Sequence, residues 1–464
     1  MGVKAAVLSL FSKGAQKRSQ ANLGYRAVTA GYRSQNLRPT SSGPISEISR
    51  SRIKLQQIAR DMVRNNGMAK RLPQVIGQNV IGAGILPNAV CERGAEKDRI
   101  EGFLKDHLDT PLCHTGLGLD LYGIQGLATE IMAVDGEVLI IRHDRTARRG
   151  DALNFTMEVR EVDYLDARHD QIGNGGHRCV NGIVFDPSGR RLGYWLFDDH
   201  PGDLTYGYGL VSRFYPAHKV IHLFRDERPG QVNGVPWLAP VVLKAHDLHD
   251  FGDARLYREK IAGAFTAFIT RNSEAGMGLP SKENSGDPAN YPLEQIQPGV
   301  IEHLAQGDEI SFGSPPQTDG FKEFWGVSAL ELSMGVGLSY ATYTGDMSGG
   351  SFTSNRMGWL EDQRYFSAIR SRAIQPKMLW PITQWVQLSA DLVHGVKFKI
   401  NWVAPARDQI DPAKDAKADI ALYDAGIKSR TQIISERGRD IADVDLERSQ
   451  EGSMEPTQTQ GQSL

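Results

Sequence analysis

His246, Asp247, His249 and Asp250 fall within five residues of one another, and at helical spacing His246 can share a face with His249, as Asp247 can with Asp250. Imidazoles and carboxylates so placed could hold a divalent metal and support metal-dependent hydrolysis. That chemistry needs further His or Asp ligands from elsewhere in the chain, and spacing nominates none. Polar residues on the wet or intersubunit side of a helix explain the cluster more simply, so neither a metal site nor a catalytic residue is assigned. Cys113 beside His114 is half of a metal or nucleophile pair with no second half. The three cysteines, Cys91, Cys113 and Cys179, form no CxxC pair and read as free, buried thiols. The chain has no Gly-Lys pair and hence no phosphate-cradling GxxxxGK[ST] loop, no GxSxG elbow and no HExxH helix. If work is done on a nucleic acid, the energy must come from a partner. No cofactor is implied.

Two other stretches concern polyanions. Residues 1 to 72 hold fourteen Lys/Arg against two acids, whereas residues 405 to 464 hold eight against twelve, beneath a net charge of −2. Lys13, Lys17, Arg18, Arg26, Arg33 and Arg38 sit in a Ser/Asn/Gln-rich background. Such an arm is expected to be disordered when free and able to settle on nucleic acid or an acidic protein surface, a merely solvated tail being the alternative. The rest of the chain is acidic, which suits a conduit past which phosphates slide better than a clamp that neutralises them. The second stretch, ATYTGDMSGGSFTSNR at 341 to 356, is too rich in Gly and Ser for a core and reads as a flexible loop on a rigid support.

The elements that must carry these pieces are legible in outline. Helical spacing covers 46 to 80, with Ser46 as a candidate cap and Pro73 loosening the end, then 95 to 108 and 118 to 134. From Gly136 the pattern changes to strands: GEVLIIRH, LNFTMEVRE, GIVFD, RLGYWLF and KVIHLF, with DPSGR at 186 to 190 as a turn. Pro236 then opens a long helix whose apolar face is Leu238, Val241, Ala245, Leu248 and Gly252. A Gly/Pro/Ser-rich region follows from Arg271 to Gln317, with short strands VIEHL and EISFG. Phe321 to about Leu338 is a helix, and another from Met357 meets Pro376 and Pro381, which should kink or break it. Helix starts are expected at Asp411 and Ser429, and a disordered polar tail after Ser449. The class is α+β, and no apolar run approaches the roughly 18 residues of a membrane span. MGVKAAVLSLF lacks a cleavage site, and Ala6 stands where a myristoylation motif wants Ser or Thr, so a cytoplasmic protein is expected.

The stretch KVIHLFRDERPGQVNGVPWLAPVVLKAHDLHDFGDARLYREKIAGAFTAFI resembles the centre of the lambda-type bacteriophage portal proteins. SRIKLQQIARDMVRNNGMAKRLPQVIGQNVIGAGILP at 51 to 87 and TGDMSGGSFTSNRMGWLEDQRYFSAIRSRAIQPKMLWPI at 344 to 382 are similar to the same family, in the same order. The resemblance implies a ring of about twelve subunits at one capsid vertex, a channel for double-stranded DNA, and docking of the terminase large subunit and a head-tail adaptor. Contact with the major capsid or scaffold protein is implied as well, with assembly in the host bacterial cytoplasm and no membrane.

It also implies a layout, with a basic arm at 1 to 45, a mixed α/β wing at 46 to 235 and 357 to 404, and stem helices at 236 to 264 and 318 to 340. A small β clip would take 265 to 317, a helical crown 405 to 450 and a tail 451 to 464. Residues 341 to 356 would be the tunnel loop, with Asp346, Ser348, Gly349, Gly350, Ser351, Thr353 and Ser354 offering short polar groups to passing DNA. Arg356 would cap the next helix or pair with Asp346. Mixed-charge stem faces would make the ring salt-sensitive. An adaptor or scaffold is the other structural-virion reading, disfavoured because scaffolds show long heptads rather than a strand-rich middle.

Overall fold

A computed structural model describes residues 41–453 apart from 92–93, 147–149, 171–175, 204–209, 265–267, 272–307, 312–319, 407–411 and 440. The basic arm with Lys13, Lys17, Arg18, Arg26, Arg33 and Arg38, the VIEHL strand and the last eleven residues lie outside the described residues.

Helices α1 (Pro44–Asn65) and α2 (Gly67–Val80) replace the single helix expected over 46 to 80. The break falls at Asn66, which leaves the helical region and caps α2 by accepting from Met68 N and Ala69 N. Pro73 lies inside α2 without ending it, and α1 starts after Gly43 with Pro44 in its first turn, so Ser46 is not the cap. Strand β1 (Leu86–Val90), α3 (Ala95–Leu108) and α4 (Leu121–Asp135) follow.

Next come β2 (Glu137–Asp144) and β3 (Phe155–Arg160), then β4 (Arg178–Val180), β5 (Ile183–Phe185), β6 (Arg191–Phe197), β7 (Ser212–Pro216) and β8 (Val220–Phe224). They form two antiparallel sheets, ordered β3-β2-β8 and β4-β5-β6-β7. The short β4 and the edge strand β7 were not anticipated.

Strand β2 explains why VLII is apolar at every position. Its successive side chains point to opposite faces, and both faces are covered. Val138 and Ile140 enter a large core with α2, α3, α4 and β3, whereas Leu139 and Ile141 enter a smaller core under the second sheet with Ile183, Phe185 and Leu196. The entry to β2 is a backbone crossing. Gly136 ends α4 with φ +85, and a Cβ on Gly234 would lie 2.0 Å from the Gly136 carbonyl oxygen, so neither position admits a side chain.

Helix α1 is held by polar groups at four-residue spacing. Arg52 donates to Glu137 (2.8 Å), Gln56 to the same carboxylate and to the Asp135 carbonyl, and Arg60 to the Asp135 carboxylate. Glu137 also accepts from His222 (2.7 Å), Asn233 and Gly234 N, so both oxygens of a fully buried carboxylate are satisfied. Burial alone would raise its pKa; Arg52 and His222 outweigh burial and keep it ionised.

Beyond β8 the chain forms α5 (Val242–Ala264), a ribbon of β9 (Phe268–Arg271) and β10 (Asp308–Ser311), then α6 (Phe321–Val336) and the short α7 (Tyr340–Thr344). The long helix starts at Val242, not at Pro236. Pro240 would sit in the first turns of a helix begun at 236 and clash with the Pro236 carbonyl, and residues 237 to 241 form turns instead.

Helix α8 (Phe352–Ile369) runs through a π-helical stretch, Arg370–Leu379, into α9 (Trp380–His394). The expected break at the prolines does not occur: the wider turn of the π stretch takes in Pro376, and Pro381 falls in the first turn of α9. Strand β11 (Lys399–Val403) returns to pair with β1. The chain ends in α10 (Pro412–Asp424), α11 (Arg430–Glu436) and α12 (Ile441–Ser453). Ser429 caps α11 in a full capping box, and α12 carries helix past Ser449, where a disordered tail was expected.

Candidate functional site

Helices α5 and α6 form an antiparallel hairpin: Lys244 pairs with Glu331 (3.0 Å) near one end, and Arg255 lies over Phe321 near the other. Phe251 stacks on Phe321 and meets Phe324 at 4.7 Å between ring centres. A Cβ on Gly335 would stand 2.1 Å from the Val241 side chain, so the hairpin closes most tightly at its base. Ala245 and Leu248 on α5 and Ala329, Leu332 and Val336 on α6 are buried as the apolar spacing requires.

The hairpin also displays an unanticipated second stripe. Val327, Leu330 and Met334 recur along α6 at three and four residues, point away from α5 and are exposed, with Leu243 exposed on α5. Helix α5 meanwhile settles its charges within the subunit: His246 lies 3.5 Å from Asp250, His249 3.8 Å from Asp253 and Arg255 2.9 Å from Glu259. The two histidines therefore pair along the helix with its own carboxylates. Among the described residues they join no group of three metal-ligating side chains; one such group exists, Glu161, Asp163 and His200, and Arg60 pairs with both of its carboxylates.

The segment 341 to 356 departs from its expected form. Residues up to Thr344 belong to α7 and those from Phe352 to α8, leaving seven, Gly345 to Ser351, as loop. Both ends are anchored. Gly337 ends α6 in the left-handed region (φ +81), with Leu338 N donating to Ser333 O. The buried Asp362 carboxylate then accepts from Ser339 N (2.9 Å), the Ser339 hydroxyl (2.6 Å) and the Thr342 hydroxyl (2.5 Å). Tyr343 is buried and donates to Met68 O (2.8 Å); burial pushes its hydroxyl up to about 12. On the far side Ser351 caps α8 by accepting from Ser354 N. Tyr365 donates to Val336 O and accepts from Arg225, whose guanidinium lies 4.5 Å over Trp237, tying the loop's base to the sheet.

Within the loop, Asp346 accepts from Ser348 N (2.9 Å) and Tyr340, and the Ser348 hydrogen bonds hold its carboxyl below the usual range. Gly350 is pressed by Asn355, where a Cβ would fall 2.2 Å from the amide oxygen. Thr353 and Ser354 are exposed in the first turn of α8, and Gly349 has open space around it. Arg356 neither caps α8 nor pairs with Asp346; it is exposed on the helix and makes no contact of either kind with the described residues. The expectation of a hydroxyl-lined loop overlooked Met347, Phe352 and Met357, all exposed. Their isolation among Gly and Ser was the available signal. Cys113 is buried, while Cys91 and Cys179 are half-buried. No helix among the described residues is long and apolar enough to cross a membrane.

With this geometry in place, the comparisons with known proteins carry weight. Residues 30–370 match the sequence model of the family described as phage portal protein, lambda family. The chain is 24% identical over 417 residues to the "Probable portal protein" of Halomonas phage phiHAP-1, covering 84% of this chain and 78% of that one. It is 23% identical over 442 residues to the portal protein of Escherichia phage N15, covering 83% and 81%. Among solved structures, a chain from the neck of a native gene transfer agent particle aligns with a TM-score of 0.47 at 13% identity, over 84% of this chain and 94% of that one.

Proposed function

The chain belongs to the lambda family of phage portal proteins, and from that premise we propose that about twelve copies close into a ring at one capsid vertex. The ring is the channel through which double-stranded DNA enters and leaves, and the docking place of the terminase large subunit, a head-tail adaptor and the capsid or scaffold protein. It is a structural part without catalysis, assembled in the host cytoplasm and retained in the virion. The motor that moves the DNA is the partner's, since this chain has no phosphate-cradling loop.

The observation that carries this reading is the α5/α6 hairpin. Its charges are paired internally while Val327, Leu330 and Met334 face outward, and an apolar stripe on one side of a packed hairpin calls for a partner. A head-to-tail contact whose rotation closes makes a ring, and each hairpin then lies against the next. This moves the expected source of cohesion from charge to apolar burial.

The loop from Gly345 to Ser351, held at both ends by Asp362, Tyr343 and Ser351, would project into the channel. Asp346, Ser348, Ser351, Thr353 and Ser354 offer short polar groups there, Met347 and Phe352 offer apolar ones, and Arg356 supplies one cation per subunit. Few charge-assisted bonds to phosphate are available, so DNA passes without being held. Deleting Gly349, Gly350 and Ser351 tests the reading: rings should persist while DNA packaging or retention falls. Normal phage yield from that variant would contradict it.

A further inference from the structure

The C-terminal helices cannot account for their own stability. Among the described residues α10 and α11 bury no side chain. A thirteen-residue helix is marginal in water without a packed face. The inner side of α10 is largely polar: Asp419 accepts from Arg437 (2.9 Å) and lies 3.6 Å from Lys428, with Leu422 half-buried beside it. Its apolar side faces away from the molecule. Ile420, Tyr423 and Ile427 recur at three and four residues and are each more than half exposed, as is Leu446 on α12.

We propose that this outward stripe of α10 packs against the same C-terminal helices of the neighbouring copy, so that residues 412–453 form a second subunit contact, separate from the hairpin. This rests on the ring reading. Rotational symmetry sets another copy's C-terminal helices beside each copy's own at the same height, so a sideways stripe meets that copy first. The remaining chain is a poorer occupant. Residues 454–464 offer only Met454 and Leu464 as large apolar groups. The basic arm joins the fold at Ser42, whose carbonyl accepts from Arg228, and it brings cations to a face whose exposed groups are apolar.

The test is hydrogen exchange on intact wild-type rings, on rings of the Ile420→Gln/Tyr423→Gln double variant, and on rings lacking residues 1–40. Gln is a better helix former than Ile or Tyr, so lost protection cannot come from lost propensity. Expected are rings in all three, with amides of 412–424 exchanging at least tenfold faster in the double variant and unchanged without the arm. Amides of 121–135 should be unaffected throughout. Unchanged exchange at 412–424 in rings of the double variant overturns this contact and leaves the ring reading standing. Loss of protection on removing the arm makes the arm the occupant and likewise overturns it. Absence of rings from the wild type overturns the ring reading and this contact together.

Discussion

Replacing Val327, Leu330 and Met334 together by glutamine should abolish ring assembly at working concentrations while leaving the subunit folded. These side chains are 66%, 44% and 71% exposed in the single chain, so most of their apolar surface remains to be buried. Complete burial of such a side chain contributes about 1.5–3 kcal/mol. Scaled by those exposures, the stripe contributes about 4 kcal/mol to each interface, or about a thousandfold in affinity. A closed ring has one interface per subunit, so the concentration for half assembly should rise by about the same factor. Glutamine keeps the helix, and atoms already in water change monomer stability by no more than about 0.5 kcal/mol each. Sedimentation velocity over a concentration series reads the assembly, and urea unfolding of the dilute protein reads the fold. Rings forming at the wild-type concentration would refute the argument from apolar burial. A large drop in the urea midpoint would refute the premise that these residues serve an interface rather than the core.

The same account predicts weak salt dependence. The charges of the hairpin are paired inside the subunit, so raising salt from about 0.1 to 0.5 M should move half assembly less than threefold; a tenfold loss would return the cohesion to electrostatics. Asp362→Ala should cost about 2–3 kcal/mol in urea unfolding, because Ser339 and Thr342 lose a buried acceptor, and should speed amide exchange across 345 to 351. Unaltered exchange there would show that Asp362 does not anchor the loop. Stability should also fall as pH drops from 6.5 to 4. Burial holds His107 down to about 4, with Arg145 adding to the effect and its Nε2 without a partner, and burial likewise lowers His222. The unfolded chain takes up those protons first, so the favourable contribution is complete above 6.5 and lost through that window, by about 3 kcal/mol for His107 alone. His107→Phe should flatten the profile, and an equally steep one would contradict the assignment.

Much of the framework was readable because periodicity reports burial. The strands 137–144 and 191–197 and helix 95–108 stand where the alternation and the helical spacing put them. What escaped was set by contacts distant in sequence. Residue Asn66 breaks the first helix where Pro73 was expected to, since its side chain can cap α2 and donate to the Ala245 carbonyl 179 positions away. The helix through Pro376 survives because it can widen into a π turn, anchored by Arg370 on the carbonyls of Asn79 and Val80 and by Lys377 on that of Phe224. The loop was overestimated because its Gly/Ser content hides two helix ends that depend on Asp362 and Ser351. The outward stripe on α6 was missed because helical spacing records that a face is apolar without saying what covers it. Val327, Leu330 and Met334 read as ordinary helix residues until Leu332 and Val336 were seen to fill the core.

Native mass spectrometry of the purified chain, with imaging of the same sample, tests the central claim most directly. Twelve copies of the 51.2 kDa chain come to about 614 kDa. The account predicts a closed ring with a central hole at or near that mass. A stable monomer or dimer at every concentration would contradict it, and with it the reading of the α6 stripe as a subunit contact.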